Sequence, residues 1–456
     1  MLKINPAIFK AYDIRGIYNQ DFDDNLAYLL GQAFVELRKN DSDKKDEQLT
    51  IAIAHDMRLS SAALKENLIK GLLEAGANVV DLGLIATPTF YFAVGHYNYD
   101  GGIIISASHN PKEWNGFKLV RAKAEPVSGE SGIDFLKERV LENNFNPSLE
   151  KGILTENNDA LTESLSYALS FVKEERIKPL KIVIDTANGM GAVYLKELFS
   201  KLNLDYIALN FTLDGSFPAH EADPLKEENL EELIIAVKNN QADLGIATDG
   251  DGDRIFFIDN LGNIIDPAII RGLMAKLFLM DKPGSKIGYD VRPGKITVDL
   301  IEENGGKAVV TRVGHSLIKE QMIKEDIYFA GESSGHFYFN GQAGCFEYPE
   351  IMIIKLLLLM SKSEKTIAEI VAPYKKYFHS GEINKSVNDK ELVFNKIKAK
   401  YQDGEINLLD GVSVTYENFW FNVRGSNTEA KIRLNLEAAN KETMIEKTKE
   451  VLELIN

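Results

Sequence analysis

The residues with the clearest chemical potential are three carboxylates and one guanidinium in the segment 249–254, Asp-Gly-Asp-Gly-Asp-Arg. Apolar runs at 242–247 and 255–258 flank it and predict two buried strands joined by a glycine-rich loop. Carboxylates at every second position of such a loop can converge on one cation that prefers oxygen ligands. The spacing excludes an EF-hand, which needs glycine and glutamate where this chain has Arg254 and Asn260.

A hairpin turn is the alternative interpretation of this segment, because Asp-Gly pairs are typical of hairpins. A turn needs only one such pair, however, and three adjacent carboxylates repel one another unless a positive charge lies among them. We therefore predict a divalent cation at this loop. Mg²⁺ is favoured over Ca²⁺ because few further oxygen ligands lie nearby in the sequence.

The composition of the whole chain limits its partners and location. Its 456 residues predict three or four domains, and its 45% hydrophobic and 26% charged content is ordinary for a soluble globular enzyme. The net charge of −16 argues against nucleic acid or an anionic membrane as the main partner. The single Cys345 excludes an internal disulfide and suits a reducing compartment, and no apolar run near the N-terminus resembles a signal peptide. We expect a cytoplasmic protein that acts on small molecules.

Three segments share one pattern of apolar strand, polar loop, amphipathic helix and second strand, and their strands begin near residues 51, 182 and 286. Such alternation predicts three related α/β domains with mixed or parallel sheets. After Pro373 the chain alternates apolar and polar residues in three runs before a closing helix, which predicts an α+β domain with antiparallel strands. The expected domains are 1–150, 151–258, 259–372 and 373–456.

A second candidate site follows the apolar run at 103–105, where the chain reads Ser-Ala-Ser-His-Asn-Pro from Ser106 to Pro111. Loops at the carboxyl ends of strands are the usual ligand sites of α/β folds. Ser108 beside His109 has the composition of an activated nucleophile, although serine and asparagine are also ordinary turn residues. No Gly-x-Ser-x-Gly elbow surrounds Ser108, so an α/β-hydrolase has no support.

Taken together, five motifs resemble those of the α-D-phosphohexomutases, in the phosphomannomutase/phosphoglucomutase branch. Ser106–Pro111 with Asn115–Lys118 is similar to the phosphoserine loop of that family, and Asp249–Arg254 is similar to its metal loop. Three further segments resemble the N-terminal signature, the sugar-binding loop and the phosphate-binding loop; they are residues 9–16, 331–336 and 424–428. The five motifs follow in order across nearly the whole chain.

The resemblance implies a fold and a reaction. It implies three related α/β domains plus a C-terminal α+β domain around a central cleft, in a monomer or homodimer. The reaction is the reversible transfer of a phosphoryl group between the 1- and 6-hydroxyls of mannose or glucose phosphate. Ser108 would carry the phosphoryl group as phosphoserine, and a hexose 1,6-bisphosphate would be the bound intermediate and activator.

The resemblance also assigns the site residues. Mg²⁺ would be held by Ser108, Asp249, Asp251 and Asp253, and the catalytic residues would be Ser108, His109, Lys118, Arg15 and Arg254. The residues implied to bind the substrate are Tyr12, Arg292, His315, Glu332, Ser334, His336, Arg424, Ser426, Asn427 and Thr428. Lys295 would add positive charge, whereas Arg433 is expected to have a structural role.

Lys118 is predicted to exchange the proton of the sugar hydroxyl. We expect arginine neighbours to lower the pKa of Lys118, which acid–base chemistry near neutrality requires. The chain departs from the family at Ala430, where proline is usual, and at the segment 347–350, Glu-Tyr-Pro-Glu, which replaces a more usual aspartate and small-residue turn.

Three alternative functions are weighed. A phosphoglucosamine mutase is the runner-up within the family, since Ser333 matches neither branch well. A metal-dependent sugar phosphatase would use the same nucleophile and cation, but it has no need for separate sugar and phosphate loops. A non-catalytic sugar-phosphate binding protein would be expected to lack Ser108 or one of the three aspartates, and all are present.

Overall fold

The computed structural model describes residues 3–41, 47–146, 148–173, 175–292, 294–425 and 431–455. The chain forms two compact units. The first consists of Met1–Ile265 with His336–Ala368, and the second consists of Asp266–Gly335 with Glu369–Asn456. No helix among the described residues has both the length and the hydropathy that a membrane span requires.

The helices and strands before residue 260 fall into two successive groups. The first group is β1 (Ile14–Ile17), α1 (Asp24–Asn40), β2 (Thr50–His55), α2 (Ser61–Glu74), β3 (Asn78–Leu84), α3 (Thr87–His96), β4 (Gly101–Ile105), β5 (Trp114–Arg121), α4 (Asp134–Glu142) and β6 (Leu154–Glu156). The second group is α5 (Ala160–Leu169), β7 (Ile182–Asp185), α6 (Gly191–Leu202), β8 (Tyr206–Leu209), α7 (Glu231–Asn240), β9 (Leu244–Thr248) and β10 (Ile255–Asp259).

The elements after residue 260 form two further groups. The third group is α8 (Pro267–Asp281), β11 (Lys286–Asp290), α9 (Lys295–Glu303), β12 (Lys307–Thr311), α10 (His315–Glu325), β13 (Ile327–Gly331), β14 (Phe337–Gly341), β15 (Gly344–Glu347) and α11 (Pro349–Lys362). The fourth group is α12 (Ile367–Val371), β16 (Phe378–His379), β17 (Ile383–Ser386), α13 (Lys390–Lys400), β18 (Glu405–Asn407), β19 (Val412–Thr415), β20 (Phe419–Gly425), β21 (Lys431–Ala438) and α14 (Lys441–Ile455).

The first three groups repeat one topology. In the first, β2 lies between the parallel strands β3 and β4, and β5 runs antiparallel to β4. In the second, β7 lies between β8 and β9, and β10 runs antiparallel to β9. In the third, β11 lies between the parallel strands β12 and β13. The prediction of three related α/β domains with mixed sheets is confirmed.

The central strands of these sheets have the composition that burial on both faces demands. Every residue of β4, β9 and β10 is buried, as are the four residues of β7. Strands covered by helices on both faces are continuous apolar runs, which is why they were recognisable in the sequence. Their ends are fixed in the protein interior, so the loops that follow them start from defined positions.

The last group forms an antiparallel sheet in the order β16-β21-β20-β19-β18, with β17 also paired to β21. Its inward side chains pack with α13 and α14 into a core that includes Val414, Leu434 and Val451. The α+β prediction for this part of the chain is confirmed. The short strands β16, β17 and β18 and helix α13 were not anticipated, because their sequences are polar and largely exposed.

Helix α11 is buried along most of its length, and it carries an unusual buried carboxyl at its first turn. Glu350 is 2% exposed, and its Oε1 has no hydrogen-bond partner among the described residues. Burial raises the pKa of Glu350 from 4.5 to about 7. The unfolded chain therefore loses this proton at a lower pH than the folded protein does, so stability falls as pH rises between these two values.

We expect Glu350→Gln to remove this pH-dependent penalty, which is about 3 kcal/mol at most. The difference in Tm between variant and wild type should shift in favour of the variant between about pH 5 and about pH 8. Thermal unfolding at the two pH values measures it, and the subtraction cancels any packing effect of the amide. Glu364→Gln, at an exposed position beyond the same helix, is the control. Equal shifts for the two variants would contradict the prediction.

Candidate active site

The loop between β4 and β5 holds Ser108 in an unusual backbone conformation. Ser108 has φ +50°, in the left-handed region that residues other than glycine seldom occupy. Its N–H donates to Ser106 Oγ at 3.0 Å, and the residue is 1% exposed. A conformation of this kind costs about 1–3 kcal/mol, so the surrounding contacts must hold it. Such strain is common at functional sites.

The loop between β9 and β10 brings its three carboxylates together. The two strands form a hairpin in which Ile255 pairs with Thr248, so the hairpin interpretation is correct as well as the acidic-cluster interpretation. Asp249, Asp251 and Asp253 are all buried, and one oxygen of each lies within 4.8 Å of the others. Gly252 provides the turn with φ +77°.

The loop that carries Ser108 (residues 106–113, the serine loop) and the loop that carries the three aspartates (residues 249–254, the acidic loop) are in direct contact. Ser108 Oγ donates a hydrogen bond to Asp249 Oδ2 at 2.7 Å. A Cβ atom on Gly250 would lie 2.5 Å from the Ser108 carbonyl oxygen, so only glycine permits this approach. The Ser108 hydroxyl and the aspartate cluster, which were predicted as two separate candidate sites, therefore lie against each other.

Lys118 lies on β5 among the same carboxylates, and here one prediction is wrong. Its Nζ donates to Asp251 Oδ2 and to Asp253 Oδ2, each at 2.5 Å. Burial disfavours the charged ammonium, but Asp251 and Asp253 outweigh it and raise the pKa of Lys118 well above its usual value. We expected arginine neighbours to lower it. The effect of Arg15 has that sign, but it is smaller than the effect of the two carboxylates.

The three aspartates fit a divalent cation. Burial, followed by repulsion from Asp253 and Asp251, raises the pKa of Asp249 well above its usual value. Asp251 Oδ1 is buried and has no hydrogen-bond partner among the described residues, although its Oδ2 accepts from Thr87 Oγ1 at 2.6 Å. An all-oxygen donor set is suited to a hard cation such as Mg²⁺, and this one has a buried oxygen without a hydrogen-bond partner among the described residues and repulsion that still acts on Asp249.

Two arginines and a histidine surround Ser108. Arg15 forms an ion pair with Asp13 at 2.7 Å and donates to Asn110 Oδ1 at 2.9 Å, which connects it to the serine loop. Arg254 is also buried, and its NH1 has no hydrogen-bond partner among the described residues. His109 Nδ1 lies 3.4 Å from Ser108 Oγ. Burial, together with the charges of Arg254 and Arg15, lowers the pKa of His109 well below its usual value, so its imidazole is neutral.

His336 belongs to the first unit and contacts the acidic loop. Its Nε2 accepts a hydrogen bond from Arg254 Nε at 3.0 Å, which places the ring proton on Nδ1. That Nδ1 lies 3.5 Å from Asp253 Oδ1 and 3.6 Å from Glu347 Oε1. Glu347 comes from the segment whose departure from the family had no explanation, and it faces the imidazole that orients Arg254.

In the second unit, Glu332 and Arg292 lie together. Glu332 Oε1 accepts from Arg292 NH2 at 3.1 Å and from the Gly314 N–H at 3.2 Å. Arg292 also pairs with Asp290 at 2.7 Å. Ser334 is buried, and its Oγ has no hydrogen-bond partner among the described residues. A buried hydroxyl of this kind is available to a ligand.

The remaining predicted residues are placed as follows. His315 is buried at the first position of α10, with Nδ1 3.3 Å from Ser316 Oγ. Arg424 is buried at the end of β20, where burial and the charge of Arg292 lower its pKa. Tyr12 is half-buried three residues before Arg15. Ser426, Asn427, Thr428 and Ala430 lie outside the described residues.

Lys295, which was expected to add positive charge, and Arg433, which was expected to have a structural role, also have defined contacts. The Lys295 N–H donates to Glu437 Oε2 at 2.9 Å at the start of α9, and its side chain pairs with Asp299. Arg433, on β21, pairs with Glu382 at 3.3 Å.

The sequence analysis missed Arg58, Thr87 and Glu347. Thr87 is the first residue of α3, and its hydroxyl donates to an aspartate of the acidic loop. Arg58 donates to the Ser108 carbonyl at 2.8 Å. Asp-Met-Arg-Leu-Ser-Ser directly after β2 was a usable signal for Arg58, whereas nothing in the local sequence marks Thr87.

Comparison with known proteins gives a consistent result. Four domain families of phosphoglucomutase/phosphomannomutase match in order: the alpha/beta/alpha domains I, II and III at 6–146, 159–262 and 266–377, and the C-terminal domain at 382–454. A phosphomannomutase of Methanocaldococcus jannaschii is 40% identical over 450 residues, covering 98% of this chain and 97% of that protein. A phosphomannomutase of Vibrio cholerae is 37% identical over 460 residues, covering 98% of each.

The fold agrees with a solved structure. A phosphoglucomutase/phosphomannomutase family protein from Burkholderia thailandensis superposes with a TM-score of 0.88 at 29% identity, covering 99% of this chain and 97% of that one. The chain therefore belongs to the phosphoglucomutase/phosphomannomutase family of intramolecular phosphotransferases. It is an enzyme, a hexose phosphate mutase.

Proposed function

We propose that the enzyme interconverts the 1- and 6-phosphates of mannose and glucose, with Ser108 as a phosphoserine that carries the phosphoryl group. The observation that carries this proposal is the 2.7 Å hydrogen bond between Ser108 Oγ and Asp249, inside a buried cluster of three carboxylates. A hydroxyl alone is a weak nucleophile and needs a neighbouring base or cation. The strained backbone at Ser108 is consistent with a residue held for chemistry.

The transfer is balanced without any further reactant. The sugar hydroxyl oxygen attacks phosphorus and forms the new P–O bond, while the bond from phosphorus to Ser108 Oγ breaks. The hydroxyl proton leaves to a base, and the product is a hexose 1,6-bisphosphate. In the second half-reaction the intermediate has turned within the site, and Ser108 Oγ forms a bond to the other phosphorus. The bond from that phosphorus to the sugar oxygen breaks, and the sugar oxygen takes back a proton from the base. The serine is then regenerated in its phosphorylated form.

Asp249, Asp251 and Asp253 would hold Mg²⁺, with an oxygen of the phosphorylated Ser108 as a further ligand. When bound, this ion supplies neutralisation of the charge on the transferring phosphoryl group. Lys118 donates to two of the same carboxylates in this structure, and it would no longer have both of them as partners if they held the ion. Without those partners the ammonium loses the interactions that raise its pKa, and Lys118 can then exchange a proton with the sugar hydroxyl.

His109 and the two arginines have complementary roles in the proposal. Neutral His109, with Nδ1 3.4 Å from Ser108 Oγ, is near enough to exchange a proton with that oxygen after a small adjustment. Arg254 NH1 has no hydrogen-bond partner among the described residues and lies 3.9 Å from Asp223 Oδ1, and Arg15 is connected to the serine loop through Asn110. We propose that both guanidinium groups donate to the phosphoryl oxygens, a task for which their planar fork is suited.

The substrate contacts away from the transferring group are proposed for the sugar hydroxyls and the distal phosphate. Glu332 and Ser334 would bind neighbouring sugar hydroxyls, and the free Ser334 Oγ supports this assignment. Arg424, Arg292 and His315, with Ser426, Asn427 and Thr428, would bind the distal phosphate. His336 and Tyr12 are the remaining residues proposed for substrate binding. His336 would act through the hydrogen bond that its Nε2 accepts from Arg254. The protein has a net charge of −16, so the binding of a small anionic substrate depends on the basic side chains at the site.

The reaction can be tested by ³¹P NMR of the purified protein with Mg²⁺, mannose 1-phosphate and a trace of hexose 1,6-bisphosphate. We expect the 6-phosphate to form without inorganic phosphate, and chelation of the metal to stop the reaction. Repeating the experiment with glucose and glucosamine phosphates ranks the substrates. Inorganic phosphate as the main product would indicate a phosphatase instead, and preference for glucosamine phosphate would replace the mannose and glucose assignment.

A further inference from the structure

We propose that Arg58 is a positioning residue that holds the serine loop in the conformation needed for phosphoryl transfer. This inference rests on the proposed function, because it assumes that Ser108 is the phosphoryl carrier. Arg58 lies between β2 and α2, outside the five sequence motifs, and it is 3% exposed. A fully buried guanidinium is costly unless its donors are satisfied.

The guanidinium of Arg58 bonds to four backbone carbonyls, three in the serine loop and one at the first residue of β5. Its NH2 donates to Ser108 O at 2.8 Å and to Asn110 O at 2.6 Å. Its NH1 donates to Pro111 O at 2.8 Å and to Trp114 O at 2.9 Å. One side chain therefore ties the start, middle and end of the serine loop to a fixed point. No other amino acid can make four such bonds from one planar group.

The Arg58 side chain is itself held in place. Its Nε lies 3.3 Å from Asp56 Oδ2, and its N–H donates to Asp56 Oδ1 at 3.0 Å. Ser61 Oγ donates to the same Oδ1 at 2.6 Å, which anchors the carboxylate to the start of α2. Phe217 covers the guanidinium with its ring centroid 5.1 Å away. The loop is thus connected through Arg58 to the rigid start of a helix.

The contacts of Arg58 help to hold Ser108 in its strained backbone conformation. The residue has φ +50°, and its carbonyl oxygen accepts from Arg58 while the backbone of Gly250 packs against it. Without the guanidinium the loop is free to relax to an ordinary conformation, which would move Oγ away from Asp249. Misplacement of a reacting group by about 1 Å costs roughly 10²-fold in rate.

The third α/β group repeats the device. Asp290 ends its first strand, β11, and accepts from the Arg292 N–H at 3.0 Å, as Asp56 does from Arg58. The Arg292 side chain then donates to Glu332, in the loop that follows β13. In the first group an arginine two residues after an aspartate holds the loop that follows β4, and in the third group one holds the loop that follows β13. This recurrence supports a positioning role for Arg58.

The test compares Arg58→Lys with Arg38→Lys. Arg38 is a matched control because it is buried in the same unit and donates to a carbonyl, Asp100 O at 2.9 Å, away from the serine loop. We expect R58K to lower kcat roughly 10²-fold with KM changed by less than about threefold, and R38K to leave both nearly unaltered. Guanidinium ion in the millimolar range should partly restore kcat to Arg58→Ala, which a general folding defect would not allow.

Two results would overturn the inference. The first is an R58K variant whose kcat equals that of R38K. If R58K does not fold, Asp56→Asn provides the test instead. It keeps the Oδ1 acceptor of residue 56 and removes only the negative charge that faces Arg58 Nε. A kcat for D56N equal to wild type would then count against the proposal, whereas a fall of roughly tenfold at constant KM supports it. Intact-mass measurement of wild-type phosphorylation separates the two hypotheses, since an unphosphorylated, inactive wild type defeats the proposed function itself.

Discussion

Replacing Ser108 with alanine is expected to lower kcat by roughly 10⁴-fold or more, because it removes the oxygen that we propose to carry the phosphoryl group. The change deletes one buried oxygen and its hydrogen bond to Asp249, so the fold should persist. The measurement is the steady-state rate of mannose 1-phosphate conversion, together with intact mass after incubation with hexose 1,6-bisphosphate. The variant should show no added phosphoryl group, and it should still bind hexose phosphates in calorimetry.

Ser106→Ala is the matched control for this substitution. It removes the hydroxyl that accepts from the Ser108 N–H but leaves the Ser108 hydroxyl in place. We expect a loss of roughly tenfold, in line with a supporting hydrogen bond. Retention of more than roughly one-hundredth of the wild-type rate by S108A, measured on protein free of wild-type enzyme, would rule out Ser108 as the carrier.

Asp249→Asn is expected to lower the reaction rate without lowering the stability of the folded protein. The substitution is isosteric, and it removes a carboxylate whose pKa is raised by burial and by the neighbouring Asp253 and Asp251. The metal-free protein should therefore be as stable as wild type or more so, since one source of repulsion disappears. The rate with Mg²⁺ should fall roughly 10³-fold, because a ligand and a negative charge of the metal site are lost.

Thermal unfolding with and without Mg²⁺ gives the second readout. Wild type should gain Tm with increasing Mg²⁺, as expected for any ligand that binds only the folded state, and D249N should gain little. Asp243→Asn is the control: Asp243 lies in the same domain and caps the Lys181 N–H at 2.7 Å, away from the acidic loop. An identical Mg²⁺ response in D249N and wild type would place the cation elsewhere.

The loops that carry the chemistry were recognisable because their residue types are rare in that combination. Asp249, Asp251 and Asp253 at alternate positions, and Ser108 after an apolar strand, are informative without any structure. The parallel strands were equally clear, since burial on both faces leaves continuous apolar runs. The start of each loop could also be located, because each loop begins where a buried strand ends.

Properties that depend on partners distant in the chain were not predictable. The direction of the Lys118 pKa depends on Asp251 and Asp253, more than 130 positions away, which outweigh the arginine that the sequence analysis had in mind. Ser108 has a positive φ, and its carbonyl oxygen is contacted by Arg58 and Gly250, which lie far from it in the chain. Sequence patterns report local preference and burial, and these contacts are neither local nor periodic.

The reactive loops occupy one topological position in three copies of a fold. The serine loop follows β4, the acidic loop follows β9, and the loop with Glu332 follows β13. Each of these strands pairs in parallel with the central strand of its group (β2, β7 or β11), on the side away from β3, β8 or β12. A change within such a loop leaves the strand register and the apolar core untouched. Nucleophile, cation site and sugar recognition can therefore vary separately in evolution, so a new sugar preference can arise in one copy without disturbing the phosphoryl chemistry in the other two.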